Sequence, residues 1–374
     1  MQKDKKIKTS WQEFRSSPQY FDKKAKTLNG IKEAFLGLFR LVIIIGISYV
    51  ILAPVIGIIS RSFFSVQDSI NPLVFTIPIN PTLERYEKVL KYMDYLPILG
   101  RTLLYVGGVT LIQILICSMT GYGFARFKFP LKGVFFAFVV VMIVIPLNTL
   151  QFPLYMIFRY FDPRPYIAIA VVFGVFLLIV GARARKSLSK WLVLLAGAGL
   201  IAGAVWYAVS YVRSGSPVMN LHSSAWPTFL MTAFGCGLRS GLYIYIFNQF
   251  FRGLPKEIEE AALVDGAGTW YTYFRIMMPN ATPAVITVSV FSIVWQYNDS
   301  LFASNFNIPD SILITQKLGG LVDRIANAEK VYSLREQQLY FNAGVVLVLV
   351  PVVLIYVLLQ RRFIEGVERS GIVG

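Results

Sequence analysis

Histidine is all but missing from this sequence, with His222 the single example, and cysteine occurs only at Cys117 and Cys236. His222 stands in a polar stretch with no metal-ligand spacing around it, so it reads as a solvated loop residue. Both cysteines fall inside apolar runs, where the expected role is packing as small hydrophobes rather than a disulfide or a metal ligand. Charge is also scarce: Asp, Glu, Lys and Arg make up 15% of the chain, and 20 acidic residues face 36 basic ones. An ion-coupled secondary transporter, the alternative kept open here, needs intramembrane carboxylates, and the nearest candidate, Asp299, lies only at the end of an apolar run. A membrane enzyme acting on lipid-linked saccharides predicts a cluster of histidine and acidic residues, which is lacking. No Gly-x-x-x-x-Gly-Lys-Ser/Thr loop occurs, so the chain has no nucleotide-phosphate cradle and no cofactor site of its own is expected. Alternating segments of about 10 residues, the mark of an outer-membrane barrel, are absent. The first apolar run begins near Leu38, behind a long charged segment without a small-residue cleavage site. No signal peptide is expected, and the first span stays in the mature chain.

What the sequence does have is apolar surface. Hydrophobic residues make up 56% of 374, and the mean hydropathy of +0.60 is too high and too even for a soluble domain. A spanning helix needs roughly 20 mostly apolar residues, and such segments recur along the chain. They lie near 38–60, 102–124, 133–151, 166–181, 191–212, 226–250, 280–298 and 339–360. The expected fold is an all-α integral membrane protein, a polytopic bundle of about eight transmembrane helices.

The net charge of +16 does not indicate a nucleic-acid protein, because the basic residues flank apolar runs instead of sharing one face. Lys and Arg divide roughly two to one in favour of the side holding the N-terminus, which predicts both termini in the cytoplasm. Residues 1–37 read as a cytoplasmic tail whose lysines, with Trp11, Phe14, Tyr20 and Phe21, either lie on anionic membrane lipid or form a solvated arm. Residues 38–374 read as the transmembrane domain. The fourth and fifth spans flank Arg183, Arg185, Lys186 and Lys190, a basic turn expected on the cytoplasmic side, so this hairpin enters and leaves together without reversing anything downstream. Pro54, Pro146 and Pro351 are expected to mark kinks.

The most informative stretch is the loop 251–279 between the sixth and seventh spans. Pro255 suits a first helical turn, and Glu257, Glu259 and Glu260 put negative charge where the helix dipole favours it. Ile258, Ala261, Ala262 and Asp265 then share one face at helical spacing, and Gly266 can take the left-handed conformation that stops the helix. The small side chains of Ala261 and Ala262 allow that face to seat closely in a groove of another protein.

This stretch resembles the cytoplasmic loop of the permease subunits of ABC importers: Glu-Ala-Ala, three residues, Gly, nine residues, Ile, one residue, Leu-Pro. Here Glu260-Ala261-Ala262, Gly266, Ile276, Met278 and Pro279 stand at that spacing, with Met278 for leucine the one departure and a mild one. Asp265-Gly266-Ala267 and the tail Gln360-Arg361-Arg362-Phe363-Ile364-Glu365-Gly366 are similar to the carbohydrate-type, maltose-permease-like branch. The resemblance runs from about residue 38 to the end and is interrupted near 163–215, where this chain has the added hydrophobic hairpin beyond the usual six spans. For the hairpin, lipid-facing or partner packing is expected over substrate contact.

The resemblance implies a permease subunit that forms half of a translocation pathway in a bacterial inner membrane, for a sugar or oligosaccharide. It implies a coupling helix that docks into a cleft of an ATP-binding cassette ATPase dimer, with ATP and Mg held by that partner. Glu260 would bond near the cleft, Ala261 and Ala262 would pack, and Gly266 would make the turn beside Asp265. A second, different permease subunit and an extracellular solute-binding protein complete the expected partners, and the chain itself is not expected to be an enzyme. Two features could line the pathway. Arg239 falls near the middle of the sixth span, where it either meets substrate or pairs with a helix carbonyl or a partner's carboxylate. Trp295, Tyr297, Asn298 and Asp299 end the seventh span as a cluster suited to sugar rings and hydroxyls, although an interfacial aromatic belt accounts for the same residues.

Overall fold

The computed structural model describes residues 18–162, 164–183, 187–214 and 219–371. Of the features expected above, residues 1–17, Arg185 and Lys186, and the side chains of 18–31, Arg183, Lys190 and Arg361–Gly366 lie outside what is described. Among the described residues the fold is all helix, the single β-type contact being an isolated bridge between Phe161 and Met219. The chain is an all-α polytopic membrane protein; the expected spans fall on helical segments, the third and the sixth each on a pair of helices, and among the described residues three helices, or five if each bent pair counts as one, are long and apolar enough to cross a membrane.

Two compact units make up the chain, Met1–Arg85 with Ser333–Val346, and Tyr86–Tyr332 with Leu347–Gly374. In the first, helix α1 (Pro18–Ser62) runs as one piece through the expected span and back to Pro18. Along its most apolar window, within Lys32–Ser62, none of the residues is buried. After it the chain folds back on itself. Asn80 donates its N–H to Asp68, and the guanidinium of Arg85 donates to the carbonyl of Phe64 at 2.5 Å while lying over the ring of Tyr340.

The second unit is built on α2 (Tyr95–Arg126), which crosses without a break. The next span is broken. Proline lacks an N–H and drives the residue before it into extended backbone; Ile145 obeys at ψ 123° before Pro146. Helix α3 (Lys132–Val144) therefore stops there, and the chain turns through 100° into the segment that ends in α4 (Gln151–Arg159). Pro54 and Pro351 behave otherwise and lie inside continuous helices.

The added hairpin follows as α5 (Arg164–Arg183) and α6 (Ser187–Ser214). These two helices pack chiefly on each other. A Cβ on Gly197 would meet the carbonyl of Gly174 at 2.8 Å, so the backbones touch where side chains are missing.

The sixth span is also two helices, α7 (Trp226–Ala233) and α8 (Ser240–Gly253), separated by Phe234-Gly235-Cys236-Gly237-Leu238-Arg239. Next come α9 (Glu257–Val264), a π-helical turn over Tyr273–Met277, α10 (Thr282–Tyr297), and finally α11 (Leu334–Gly371). The core of this unit lies where α2, α3, α8 and α10 meet, around Tyr122, Tyr243, Phe247, Phe251, Tyr273 and Met277. Gly121 makes that meeting possible, since a Cβ there would stand 2.6 Å from the Cβ of Phe247.

Candidate functional site

The loop after α8 has the local structure its residues dictate. Helix α9 opens with Glu257, Glu259 and Glu260 in its first turn, where unpaired N–H groups and the helix dipole favour carboxylates. It closes at Gly266, whose φ of +77° is the left-handed state a Cβ resists. The N–H of Ala267 donates to the carbonyl of Ala262 and that of Gly266 to Leu263, both at 3.0 Å, which satisfies two of the terminal carbonyls in a Schellman motif.

Which face of α9 is free differs in part from the sequence reading. Glu260, Ala261, Asp265 and Gly266 are exposed, but Ala262 is only 5% exposed, turned inward with Ile258 a turn earlier. Ala262 packs against its own chain and is not part of an outward surface. In its place the structure exposes Leu263, Val264, Trp270, Tyr271 and Phe274, with Val264 87% exposed and Trp270 stacked on Phe274. Sequence reasoning passed over these apolar residues, although aromatics crowded into a loop between spans were a visible signal.

Glu259 was passed over too. It reaches back to α2: one carboxylate oxygen accepts from the hydroxyl of Tyr122 at 2.5 Å, and the other lies 3.3 Å from Nε of Arg126. The second contact is an ion pair without hydrogen-bond alignment, Arg126 Nε having no bonded acceptor. The same guanidinium donates through Nη2 to the carbonyl of Leu254 at 2.8 Å, ahead of α9. One turn before Tyr122, Ser118 shares a 2.7 Å hydrogen bond with the hydroxyl of Tyr273 in the π-turn.

Higher on α2, Gln113 is fully buried and serves the broken span. Its amide nitrogen donates to the carbonyl of Leu238 at 2.6 Å and its amide oxygen accepts from Ser292 at 2.7 Å. The gap between α7 and α8 frees carbonyls that a spanning helix would otherwise bond internally, and Gln113 takes one of them.

That gap also relocates Arg239. It is not in mid-helix; it precedes α8 with φ +61°, and its side chain is exposed. The guanidinium lies 4.8 Å from the Trp295 ring centroid, a cation–π contact, and among the described residues no carboxylate pairs with it. A cavity of about 240 Å³ opens beside it, lined by Met142, Leu147, Leu154, Cys236 and Phe302. Of the seventh-span cluster only Trp295 joins Arg239, and its ring is already stacked with Phe291 and near-parallel to Tyr243. Tyr297 is buried and spends its hydroxyl on the carbonyl of Val348 at 2.8 Å. The exposed Asn298 bonds the carbonyl of Val294. Asp299 accepts from the N–H groups of Leu301 and Phe302, capping the next turn. Tyr297 and Asp299 thus hold the fold together and do not form a free sugar-binding face with Trp295.

The family model for the binding-protein-dependent transport system inner membrane component matches residues 113–369. The chain belongs to that family. The matched range takes in Gln113, the broken sixth span, α9 and the Glu259 contacts, so the geometry above belongs to the inner membrane component itself. A probable ABC transporter permease protein of Pyrococcus horikoshii is 24% identical over 326 residues, which is 86% of this chain and 92% of the relative. The alpha-glucoside transport system permease protein of Rhizobium meliloti is 25% identical over 306 residues, 80% of this chain and 62% of that one. Among solved structures, a chain of a bacterial ABC transporter involved in the import of the acidic polysaccharide alginate has the same fold, with a TM-score of 0.58 and 16% identity over 89% of this chain and 98% of that one. As a binding-protein-dependent inner membrane component, the chain is a multi-pass transport protein and works with a solute-binding protein and an ATPase.

Proposed function

We propose that this permease forms half of the translocation pathway of an ATP-driven importer of sugars or oligosaccharides, with α9 as its coupling helix. The observation that carries the reading is the short helix between two membrane helices that ends on a left-handed glycine and presents Glu260, Ala261, Leu263, Val264 and Gly266 outward. Such a knob suits the cleft of an ATP-binding cassette subunit, and the exposed Trp270 and Tyr271 extend its apolar rim. The ATPase dimer binds ATP and Mg and hydrolyses the nucleotide; this chain has no catalytic residue. A second, different permease completes the pathway, and the solute-binding protein delivers from outside. The Lys and Arg asymmetry supports a cytoplasmic side for both termini and α9, in a bacterial inner membrane. The extra hairpin α5–α6 is an insertion into a six-span domain that faces lipid or a partner. Relatives named for alpha-glucoside and trehalose transport support a saccharide as the solute.

The reading is tested by purifying the tagged chain from its host membrane, identifying what accompanies it, and measuring uptake of labelled sugars into right-side-out or reconstituted vesicles with the solute-binding protein outside and with or without ATP enclosed. An ATPase and a second permease should co-purify, and Gly266→Val should abolish ATP-dependent uptake with the chain still in the membrane. Absence of any ATPase, together with uptake indifferent to ATP, rules the importer reading out.

A further inference from the structure

Ser118, Tyr122 and Arg126 stand at i, i+4 and i+8, so they form one stripe on the last turns of α2. All three polar groups of the stripe are spent on the loop that carries α9: Ser118 on Tyr273, Tyr122 and Arg126 on Glu259, and Arg126 again on Leu254. The pair at its end is enclosed, with side-chain exposures of 6% for Arg126 and 15% for Glu259. Tyr122 is wedged between the rings of Phe127, Phe251 and Tyr273 at 5.1 to 5.4 Å.

Static attachment alone does not call for charges here. A buried ion pair can often be replaced by well-packed apolar residues at no loss of stability, and apolar side chains surround this one. What the ion pair adds is direction. The two oxygens of Glu259 are held by two residues one turn apart on the same helix, so α9 cannot roll about its own axis, or shift along α2, without breaking a contact. Glu257, Glu260 and Asp265 point outward and leave Glu259 as the one carboxylate of the loop that faces home.

We infer that the Tyr122–Arg126–Glu259 cluster is the joint that passes movement of α9 to α2, with Tyr122 and Arg126 as positioning residues. The inference rests on the coupling reading above and adds where the force enters the membrane domain. Removing the joint leaves the outward face of α9 intact, so the ATPase still docks and turns over, but α2 no longer follows.

The test uses the complete reconstituted transporter, with Cys117 and Cys236 replaced by serine and an environment-sensitive fluorophore on Leu104→Cys, an exposed position on α2. The probe is Mg-ATP, and three quantities are read: co-purified ATPase subunit, hydrolysis rate, and the ATP-induced fluorescence change. Glu259→Gln, Arg126→Gln and the ring-preserving Tyr122→Phe should keep the first two within about twofold while the fluorescence change falls about tenfold, a size usual for coupling between sites. Exchange of the charges, Arg126→Glu with Glu259→Arg, should restore part of the signal. An unchanged fluorescence response overturns the inference, as does loss of co-purified ATPase in Tyr122→Phe, which makes the cluster a mere scaffold for docking. A wild type that brings down ATPase but shows no fluorescence change overturns the joint alone. A wild type with no ATPase at all sinks the coupling reading beneath it.

Discussion

Phe161 and Met219, on either side of the hairpin α5–α6, are hydrogen-bonded to each other through both main-chain pairs, N–H to carbonyl at 3.0 and 2.9 Å. The neighbouring N–H of Leu221 donates to Phe158 at 2.9 Å. The chain is therefore already closed across the foot of the hairpin, in the narrow antiparallel pairing that a two-residue turn can bridge.

Replacing residues 162–218 by Asn-Gly should accordingly leave the remaining helices in place. We expect a monodisperse protein whose thermal midpoint in detergent lies within about 2 °C of the parent, the shift that a change of 1 kcal/mol or so produces at this size. Aggregation, or a much lower midpoint, shows that the hairpin is structural for the rest.

At the crossing of α2 and α8, Gly121→Ala puts a methyl group 2.6 Å from the Cβ of Phe247 and 3.0 Å from the N–H nitrogen of Asn248. Overpacking of this kind costs about 1–3 kcal/mol, whereas Gly123→Ala, whose nearest neighbour is 4.0 Å away, should be near neutral. Thermal unfolding of the two variants side by side measures the difference, and equal midpoints would falsify the close-approach argument.

Gln113→Leu keeps the volume but strips the carbonyl of Leu238 and the hydroxyl of Ser292 of a partner. Ser292 keeps the hydroxyl of Thr110 at 2.9 Å, so the carbonyl of Leu238 is the group left without its side-chain partner; a buried group left unbonded costs about 1–3 kcal/mol, and destabilisation of that order is expected. Gln113→Asn, too short to reach both, should lie between, and protease nicking at Gly235–Arg239 should rise in step with the loss.

One pH dependence follows from Glu329, outside the spanning segments. The hydroxyl of Tyr92 at 2.7 Å and then the ammonium of Lys88 at 3.2 Å hold its carboxyl below the ordinary glutamate value of about 4.5. A lowered folded-state value means stability that is present above pH 4.5 and is lost as pH falls through the lower value in the folded protein. Glu329→Gln should reduce the thermal midpoint slightly at pH 7 and by progressively less as pH falls below 4.5; the contact is exposed, so the effect is small. A difference that persists unchanged in acid contradicts the assignment.

The parts of this protein that could be read in advance are those encoded within a few residues. Apolar runs located the long helices, and the spacing from Glu260 to Pro279 located the loop, because both signals are local. The breaks were half legible: Pro146 ends α3, but Gly235 and Gly237 inside an apolar run were read through, and Arg239 was set in mid-helix as a result. The phase of α9 was misjudged at Ala262, since an eight-residue helix allows several faces and only the packing of Ile258 chooses one. Glu259 with Arg126, and Gln113 with Leu238, are pairings between distant segments, and no periodicity announces them. Tyr297 and Asp299 looked like a binding cluster because residue type cannot reveal that Val348 and the N–H groups of Leu301 and Phe302 already occupy them.

The gap between α7 and α8 has a consequence for how the membrane domain can work. A continuous helix stores displacement at one end as displacement at the other, since each peptide is bonded to the next turn. Here that chain of bonds ends with the N–H groups of Phe234, Gly235 and Cys236 and is taken up again at Ser240, which bonds to Gly237, so α8, pressed against α2 at Gly121, and α7, whose Phe229 meets Tyr105, answer to different neighbours. A tilt imposed on α8 need not be copied by α7.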